Sequence, residues 1–448
     1  GLTREQLATM LYRYAACLGK DTASEISLVR FPDRGLVSGF AEDAMKWAVQ
    51  NGIIQGTGEG YLNPQGITCR AEGAAMLARF CLRFMEGEFE DVDFSVKCSG
   101  VYVSNPDPTE GYFCIGAADV ACDYPIKEIA VMVTAAADPY RPQWVYLSKY
   151  EEGFYTGVYS AAYWNYSTGT YTCDAYVWLE NGLRFHLGEG SGTVSVQLAR
   201  PVTLQGYMPF ANYSMINSGS AVYYRASGWN RKNFCVCVNA GHGTSGGGSV
   251  KTLSHPDGSP KVTGGTTAAG EVYSTAVSSG MSFLDGTEES AVTLQAAILL
   301  RDKLRNAGYD VLMIREGSDV QLDNIARTVL ANTYANCHVA LHWDSTTTDK
   351  GCFYMSTPNV ASYRNMYPVS ATWPHSEYFG HCLLAGLSEK GRALWGDGTL
   401  EMDLTQTSYS SIPSVDIELG DEASDHSYNT LNQITDGLFR GIEIYLGL

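Results

Sequence analysis

From Phe234 onward the chain alternates short, wholly apolar runs with segments of helical period, and this alternation constrains the fold more than any other feature. "FCVCVN" is the kind of continuous apolar stretch that a strand buried on both faces requires. Leu294, Ala297, Leu300 and Leu304 then recur at spacings of three and four, with Gly308 at the expected end of that helix. "DVLMI" follows as a strand, then a helix around residues 325–331, strands at "HVALH" and "CFYM", a helix near 378–387 and a strand at "SVDIEL". A last helix carries Leu431, Ile434, Leu438 and Ile442 on one stripe. The succession predicts an α/β domain over residues 234–448 with a mostly parallel sheet.

A chain of 448 residues is too long for one core, so a multidomain protein is expected. Residues 1–86 contain an echo: "TREQLATMLYRY" from Thr3 matches "CRAEGAAMLARF" from Cys69 in register. Between them, Phe40, Ala44, Trp47 and Ala48 are expected on one helical face. Such helices cannot bury their stripes alone, which predicts stacked helical repeats. Residues 95–200 change to alternating runs rich in Val, Tyr, Trp and Thr, broken by Gly, Asn and Pro, and are expected to form an antiparallel β-sandwich. The aromatic residues of that region, among them Tyr155, Tyr159, Trp164, Tyr171, Tyr176 and Trp178, suit either a sandwich core or stacking on sugar rings. Residues 201–233 are read as a connector.

Charge excludes some partners. There are 48 acidic residues against 30 basic ones, a net charge of −18, whereas nucleic acid needs clustered Lys and Arg. No polybasic segment suits an anionic membrane, and no apolar run approaches the roughly 18 residues of a membrane span. The helical pattern starts directly at Gly1, so the natural start is expected upstream and export has to be argued from the domains. The twelve cysteines show no C-x-x-C spacing; Cys235 and Cys237 read as buried fillers, and Cys114–Cys122 or Cys98–Cys173 are open as disulfides.

In an α/β sheet, reactive groups gather where loops leave the carboxyl ends of strands. His242 follows the first strand in "VNAGHG", His342 ends "HVALH", Glu289 precedes the long helix and Glu418 lies in "PSVDIELG". Two imidazoles and a carboxylate are a common ligand set for catalytic zinc, and a further carboxylate is needed to move protons. Singly, a Gly-His-Gly is an ordinary turn and a Glu before a helix an ordinary first-turn charge. Their joint order is far more specific.

Residues 234–448 resemble the zinc-dependent N-acetylmuramoyl-L-alanine amidases of peptidoglycan, through "GHG", Glu289, "ALH", "IPSVDIELG", "NAGYDVLMIRE" and "ARTVLAN". The resemblance implies His242, Glu289 and His342 as ligands of Zn2+, Glu418 as catalytic base, and hydrolysis of the amide between N-acetylmuramic acid and the L-alanine of the stem peptide. Three departures stand out. Asn239 replaces a common Asp, Trp343-Asp344 replaces Ala-Asn, and the long stretch 244–286 brings Glu271, beside Glu288, as a rival to Glu289. Trp343 and Arg315 are candidate substrate contacts; for Trp343 a core role, and for Arg315 and Arg327 the orienting of loops, are the alternatives. His338, four residues before His342, is expected to be packed in the core.

Residues 1–86 resemble the S-layer homology repeat, with one complete copy from Phe31, "FPDRGLVSGF" through "AAMLARF", and the tail of another, which implies docking to a secondary cell-wall polymer. "YEEGFYTGVYSAAYWNYSTGTYTCDAYVWLENG" resembles the Bsp-like β-sandwich repeat. Together these resemblances imply a secreted enzyme at the wall of a Gram-positive-type bacterium, acting on peptidoglycan. Another zinc-dependent peptidoglycan peptidase and a catalytically inactive wall-binding protein are the competing readings.

Overall fold

Thr3 and Cys69 open two helices in the same way. In the computed structural model, Thr3 caps α1 (Arg4–Cys17), its side chain accepting from the Gln6 N–H while Gln6 reaches back to the Thr3 N–H. Cys69 and Glu72 repeat this arrangement at the start of α3 (Arg70–Phe84). The sequence echo is therefore, at its start, a repeated capping box. Between them α2 (Glu42–Gln50) buries Ala44, Trp47 and Ala48, and the Trp47 ring stacks on Phe84 at 5.2 Å. Phe40 departs from the expected stripe. It sits in a 3-10 turn ahead of α2 and is 59% exposed.

The structure describes residues 1–57, 60–85 and 95–448, and the chain divides into two units, Gly1–Ser95 and Val96–Leu448. The expected boundary at residue 86 lies outside the described residues. No helix among them is long and apolar enough to cross a membrane.

The second unit begins with β1 (Val96–Lys97), β2 (Gly100–Asp107), β3 (Tyr112–Ala118), β4 (Ala121–Cys122), β5 (Ile126–Ala135), β6 (Asp138–Glu151), β7 (Phe154–Ser160), β8 (Gly169–Leu179) and β9 (Arg184–Val194). Seven of these form one antiparallel sheet in the order β2-β3-β7-β6-β5-β8-β9. Its end strands approach closely. A Cβ added at Gly190 or Gly192 of β9 would strike the Val101 or Val103 carbonyl of β2. Alternation along the strands buries Ile129, Val131 and Val133 of β5 with Ala175 and Val177 of β8. Trp164 and Tyr171 belong to this core, edge-on at 5.6 Å. No disulfide forms: all twelve cysteines are free thiols. Cys173 faces the core, and the Cys98 thiol lies against the Gly100 carbonyl at 3.4 Å.

The segment read as a connector supplies sheet. β10 (Ala199–Val202) and β11 (Ala221–Tyr224) add antiparallel strands to one edge of an eight-stranded sheet. The elements that follow are β12 (Cys235–Ala240), β13 (Lys251–Leu253), β14 (Tyr273–Thr275), α4 (Glu289–Asn306), β15 (Asp310–Met313), α5 (Asn324–Tyr334), β16 (Cys337–Asp344) and β17 (Cys352–Ser356). Then come α6 (Ala361–Arg364), α7 (Val369–Glu389), β18 (Leu394–Glu401), α8 (Thr405–Ser408), β19 (Ser414–Asp421) and α9 (Tyr428–Tyr445). The sheet runs β10-β11-β15-β12-β16-β19-β17-β18. β15, β12, β16 and β19 are parallel neighbours, and β17 lies antiparallel to β19.

The long stretch 244–286 is anchored to the body of the domain. Asp403, fully buried, accepts from Lys261 Nζ at 2.8 Å, the Val262 N–H at 2.6 Å and Thr263 Oγ1 at 2.5 Å, and meets His255 Nε2 at 3.1 Å. A buried carboxylate with this many donors stays ionised, and burial notwithstanding, its hydrogen bonds hold it well below the usual range.

On one face of the sheet, α7 and α9 touch through glycine. A Cβ on Gly386 would lie 2.3 Å from both the Gly437 carbonyl oxygen and the Gly441 nitrogen. Gly386→Ala is therefore expected to destabilise the second unit by about 1–3 kcal/mol, despite the better helix propensity of alanine. A denaturant midpoint unchanged or raised in the variant would contradict this packing.

Candidate metal centre

β12 ends at Ala240, and the turn beyond it carries His242 at φ +60°, an uncommon conformation for a residue with a side chain. Two glycines make the space. A Cβ on Gly241 would overlap the His342 ring, and one on Gly280 would overlap both Glu289 and His242. His342 comes from β16, the parallel neighbour of β12, and Glu289 from the first turn of α4.

The three side chains converge. His242 Nε2 is 2.9 Å from Glu289 Oε1, His342 Nδ1 is 3.2 Å from the same oxygen, and the two nitrogens are 3.0 Å apart. Four-coordinate zinc with bonds of about 2.0–2.1 Å spaces its donors by roughly 3.3 Å, so this donor set fits such an ion. Two of the donors are also oriented from behind. His242 Nδ1 faces the Ser278 carbonyl at 2.9 Å, which leaves Nε2 as the lone-pair nitrogen. The backbone N–H groups of Trp343 and Met281 donate to the two Glu289 oxygens at 3.0 and 2.9 Å. Burial would raise the Glu289 carboxyl, but its bonds to His242 and His342 hold it well below the ordinary range.

Glu418 projects from β19 beside His342, its register partner on β16. It is 7% exposed, and its Oε2 has no hydrogen-bond partner. Burial raises its pKa well above the carboxylate norm, with His342 opposing and Asp416 and Glu289 reinforcing. A buried carboxyl oxygen without a partner is uncommon and needs an explanation. Asp416, two residues earlier on the same face, places Oδ2 3.6 Å from His342 Nε2. Sequence reading missed it, although the D-x-E spacing in a strand was its signal.

The rival acids are elsewhere. Glu288 is exposed and bonds Ser282 at 3.3 Å, and the exposed Glu271 offers its backbone carbonyl to Lys261. Two expected substrate contacts are corrected. Trp343 borders the cleft but is 2% exposed, with its ring packed on Phe283 and its backbone N–H donating to Glu289. Arg315 is 1% exposed, and its guanidinium is spent on the carbonyls of Gly241, Ser290 and Gly317. Arg327 takes the parallel role: Nη1 bonds Asn239 Oδ1 and the Ala240 carbonyl, both at 3.1 Å, and Nη2 the His242 carbonyl at 2.7 Å. Asn239 thus faces an arginine. Desolvation lowers Arg315 to about 10 and Arg327 to about 9.

His338 is fully buried, 3.3 Å from Ser414 Oγ and away from the trio. His255, without a partner by sequence, pairs with Asp403. Over the trio lies a cleft of about 500 Å³, lined by Lys261, Thr266 and Thr267 on one side and Met402 and Gln406 on the other.

Fold and site define an α/β domain with a candidate metal centre of two imidazoles and a carboxylate, and a second acid beside it. Residues 236–442 match the family described as N-acetylmuramoyl-L-alanine amidase, and residues 30–72 match the S-layer homology domain. The chain is thus a multidomain protein with an amidase domain of that enzyme class. Among solved structures it is similar to the N-acetylmuramyl-L-alanine amidase Ami1 from Mycobacterium smegmatis, at 19% identity and a TM-score of 0.40, over 49% of this chain and 99% of that one. AmiC2 of Nostoc punctiforme is 17% identical over 49% of this chain and 99% of that one, with a TM-score of 0.35. No curated protein matches the sequence.

Two expectations follow. Arg327→Lys cannot reproduce the forked bonds around the His242 turn, so affinity for zinc should fall about 10–100-fold in a chelator competition while the fold persists. His338 is lowered to about 3 by burial, with Arg327 adding, whereas the unfolded chain binds that proton near pH 6.5. Its contribution is present above the unfolded value and is lost as pH falls from about 6.5 toward 3. His338→Leu should flatten the stability–pH curve in that window; an unaltered slope in acid titrations would refute the assignment.

Proposed function

We propose that the domain hydrolyses the amide joining the lactyl group of N-acetylmuramic acid to the L-alanine of the stem peptide, with zinc held by His242, Glu289 and His342. The observation that carries this is the mutual spacing of the three donor atoms, 2.9–3.2 Å, beside an unpartnered buried oxygen of Glu418. When bound, zinc lowers the pKa of a coordinated water toward about 7 and polarises the scissile carbonyl.

The side chains divide the remaining work. Glu418 Oε2 takes the proton from the attacking water and returns it to the leaving nitrogen, a task suited to a carboxyl whose pKa is raised by burial. Its position on a central strand keeps that oxygen fixed. The cleft walls from 261–267 and 402–406 hold the stem peptide and exclude water. The S-layer homology region tethers the chain to a secondary wall polymer, and the middle region, of the Bsp-like β-sandwich kind, follows it in the sequence ahead of the amidase domain. The protein is accordingly a secreted enzyme of a Gram-positive-type wall.

Glu418→Ala is expected to keep zinc and lose activity on purified peptidoglycan by about 10²–10⁴-fold, whereas His342→Ala loses both metal and activity. Mass analysis of the wild-type digest should show intact stem peptides with free L-alanine amines. Stem peptides cut internally would point to a peptidase instead, and full activity in the Glu418 variant would remove it from the mechanism.

A further inference from the structure

The aromatic residues of the middle region divide by strand parity. Odd positions of β8 such as Tyr171 and Val177 enter the core, while Asp174, Tyr176 and Trp178 face outward. The register then assembles a surface. Trp144 and Tyr146 of β6 lie opposite Met132 and Ala130 of β5, and these lie opposite Asp174 and Tyr176 of β8. On β9, Arg184 and His186 pair with Trp178 and Tyr176. Trp144 is 5.8 Å from Tyr176 and 6.2 Å from Trp178, ring centre to ring centre. Arg184 stacks over Tyr176 at 5.1 Å and Trp178 at 5.7 Å.

This face is set in place yet open. The Tyr176 hydroxyl donates to Asp174 Oδ2 at 2.7 Å, and His186 Nε2 meets Asp174 Oδ1 at 2.8 Å. Trp144 remains 48% exposed and Tyr146 60%. The solvent side of an antiparallel sheet is ordinarily polar, so a cluster of half-exposed rings marks an interaction surface.

We propose that this face binds the sugar chain of the wall, an uncharged β-linked amino-sugar polymer, as a site separate from the amidase cleft. The chemistry matches on both counts. Flat ring faces suit the apolar faces of pyranoses, and the rim of Arg184, His186 and Glu189 offers donors and acceptors to hydroxyl and acetamido groups. A net charge of −18 opposes a polyanionic wall polymer but not a neutral glycan. The surface belongs to the same unit as the amidase domain, so it would hold the strand whose peptides that domain releases. The choice of glycan rests on the amidase reading; the binding surface does not.

The test uses the full chain carrying Glu418→Gln, which prevents turnover. The probes are tetra-N-acetylchitotetraose, followed by tryptophan fluorescence, and insoluble chitin, an uncharged β-linked amino-sugar polymer, followed by co-sedimentation. Trp144→Ala with Trp178→Ala should weaken both interactions roughly tenfold or more with an unchanged far-ultraviolet spectrum. Should that pair disturb folding, the exposed Tyr146→Ala serves, with a several-fold loss expected. In the otherwise wild-type chain, the tryptophan variants should release peptides from intact sacculi more slowly but cut a soluble muropeptide normally. Unaltered affinity in these variants, no binding to chitin by the parent, or retention of a protein partner alone would overturn the proposal. Failure of the amidase reading would show separately, as a wild-type digest without free L-alanine amines.

Discussion

A carboxylate buried to 2% exposure is the constraint on which the C-terminal domain turns. Unpaired, such a charge would cost several kcal/mol or would take up a proton. Glu289 escapes both because two imidazoles and two backbone N–H groups meet its oxygens. That solution requires the ends of β12 and β16 and the start of α4 to arrive at one point. The parallel pairing of β12 with β16, and of β16 with β19, delivers that convergence and brings Glu418 alongside. The domain is organised so that one acid is ionised in the interior while burial raises the proton affinity of its neighbour.

Two arginines maintain the turn that makes this possible. Among the described residues Arg315 and Arg327 hold no carboxylate in a salt bridge; their donors go mainly to main-chain carbonyls, Gly241 for one and Ala240 and His242 for the other, with Thr293, Asn239 and Thr244 side chains taking the rest. Buried carbonyls at the end of a strand need donors, and a fork of several N–H groups satisfies them where no further strand can. The cost appears as guanidinium groups with lowered pKa. It is offset by a His242 backbone fixed in a left-handed conformation that a free loop would rarely hold.

Most of the C-terminal fold could be read from the sequence because its strands are buried on both faces, which leaves uninterrupted apolar runs with few other meanings. β18 was missed for the opposite reason: Gly396 and Gly398 break its pattern, and it survives as an edge strand through β17. β10 and β11 are short and mixed, so their contribution to the sheet appears only once β15 supplies a partner. His242 and His342 stood out as polar residues at strand ends, whereas Glu289, at the start of α4, and Glu418, inside β19, were singled out with them through the family resemblance. For Arg315 and Trp343 the sequence left a substrate contact and a structural role both open, because it gives residue type but not which neighbours take up its donors or cover its ring. Asp416 escaped because its neighbour Glu418 already explained the strand.

The long segment 244–286 raises a question of mechanism that Asp403 answers. A stretch of this length beside a cleft would ordinarily be a mobile lid. Here one buried carboxylate ties His255, Lys261, Val262 and Thr263 to the loop after β18, and β13 pairs with β14 inside the segment itself. Opening would strand the Asp403 charge away from its donors, which is far more costly than breaking a surface contact. The wall carrying Thr266 and Thr267 therefore stands in position before substrate arrives. A cleft wall anchored in this way is preorganised, which lowers the ordering cost of binding.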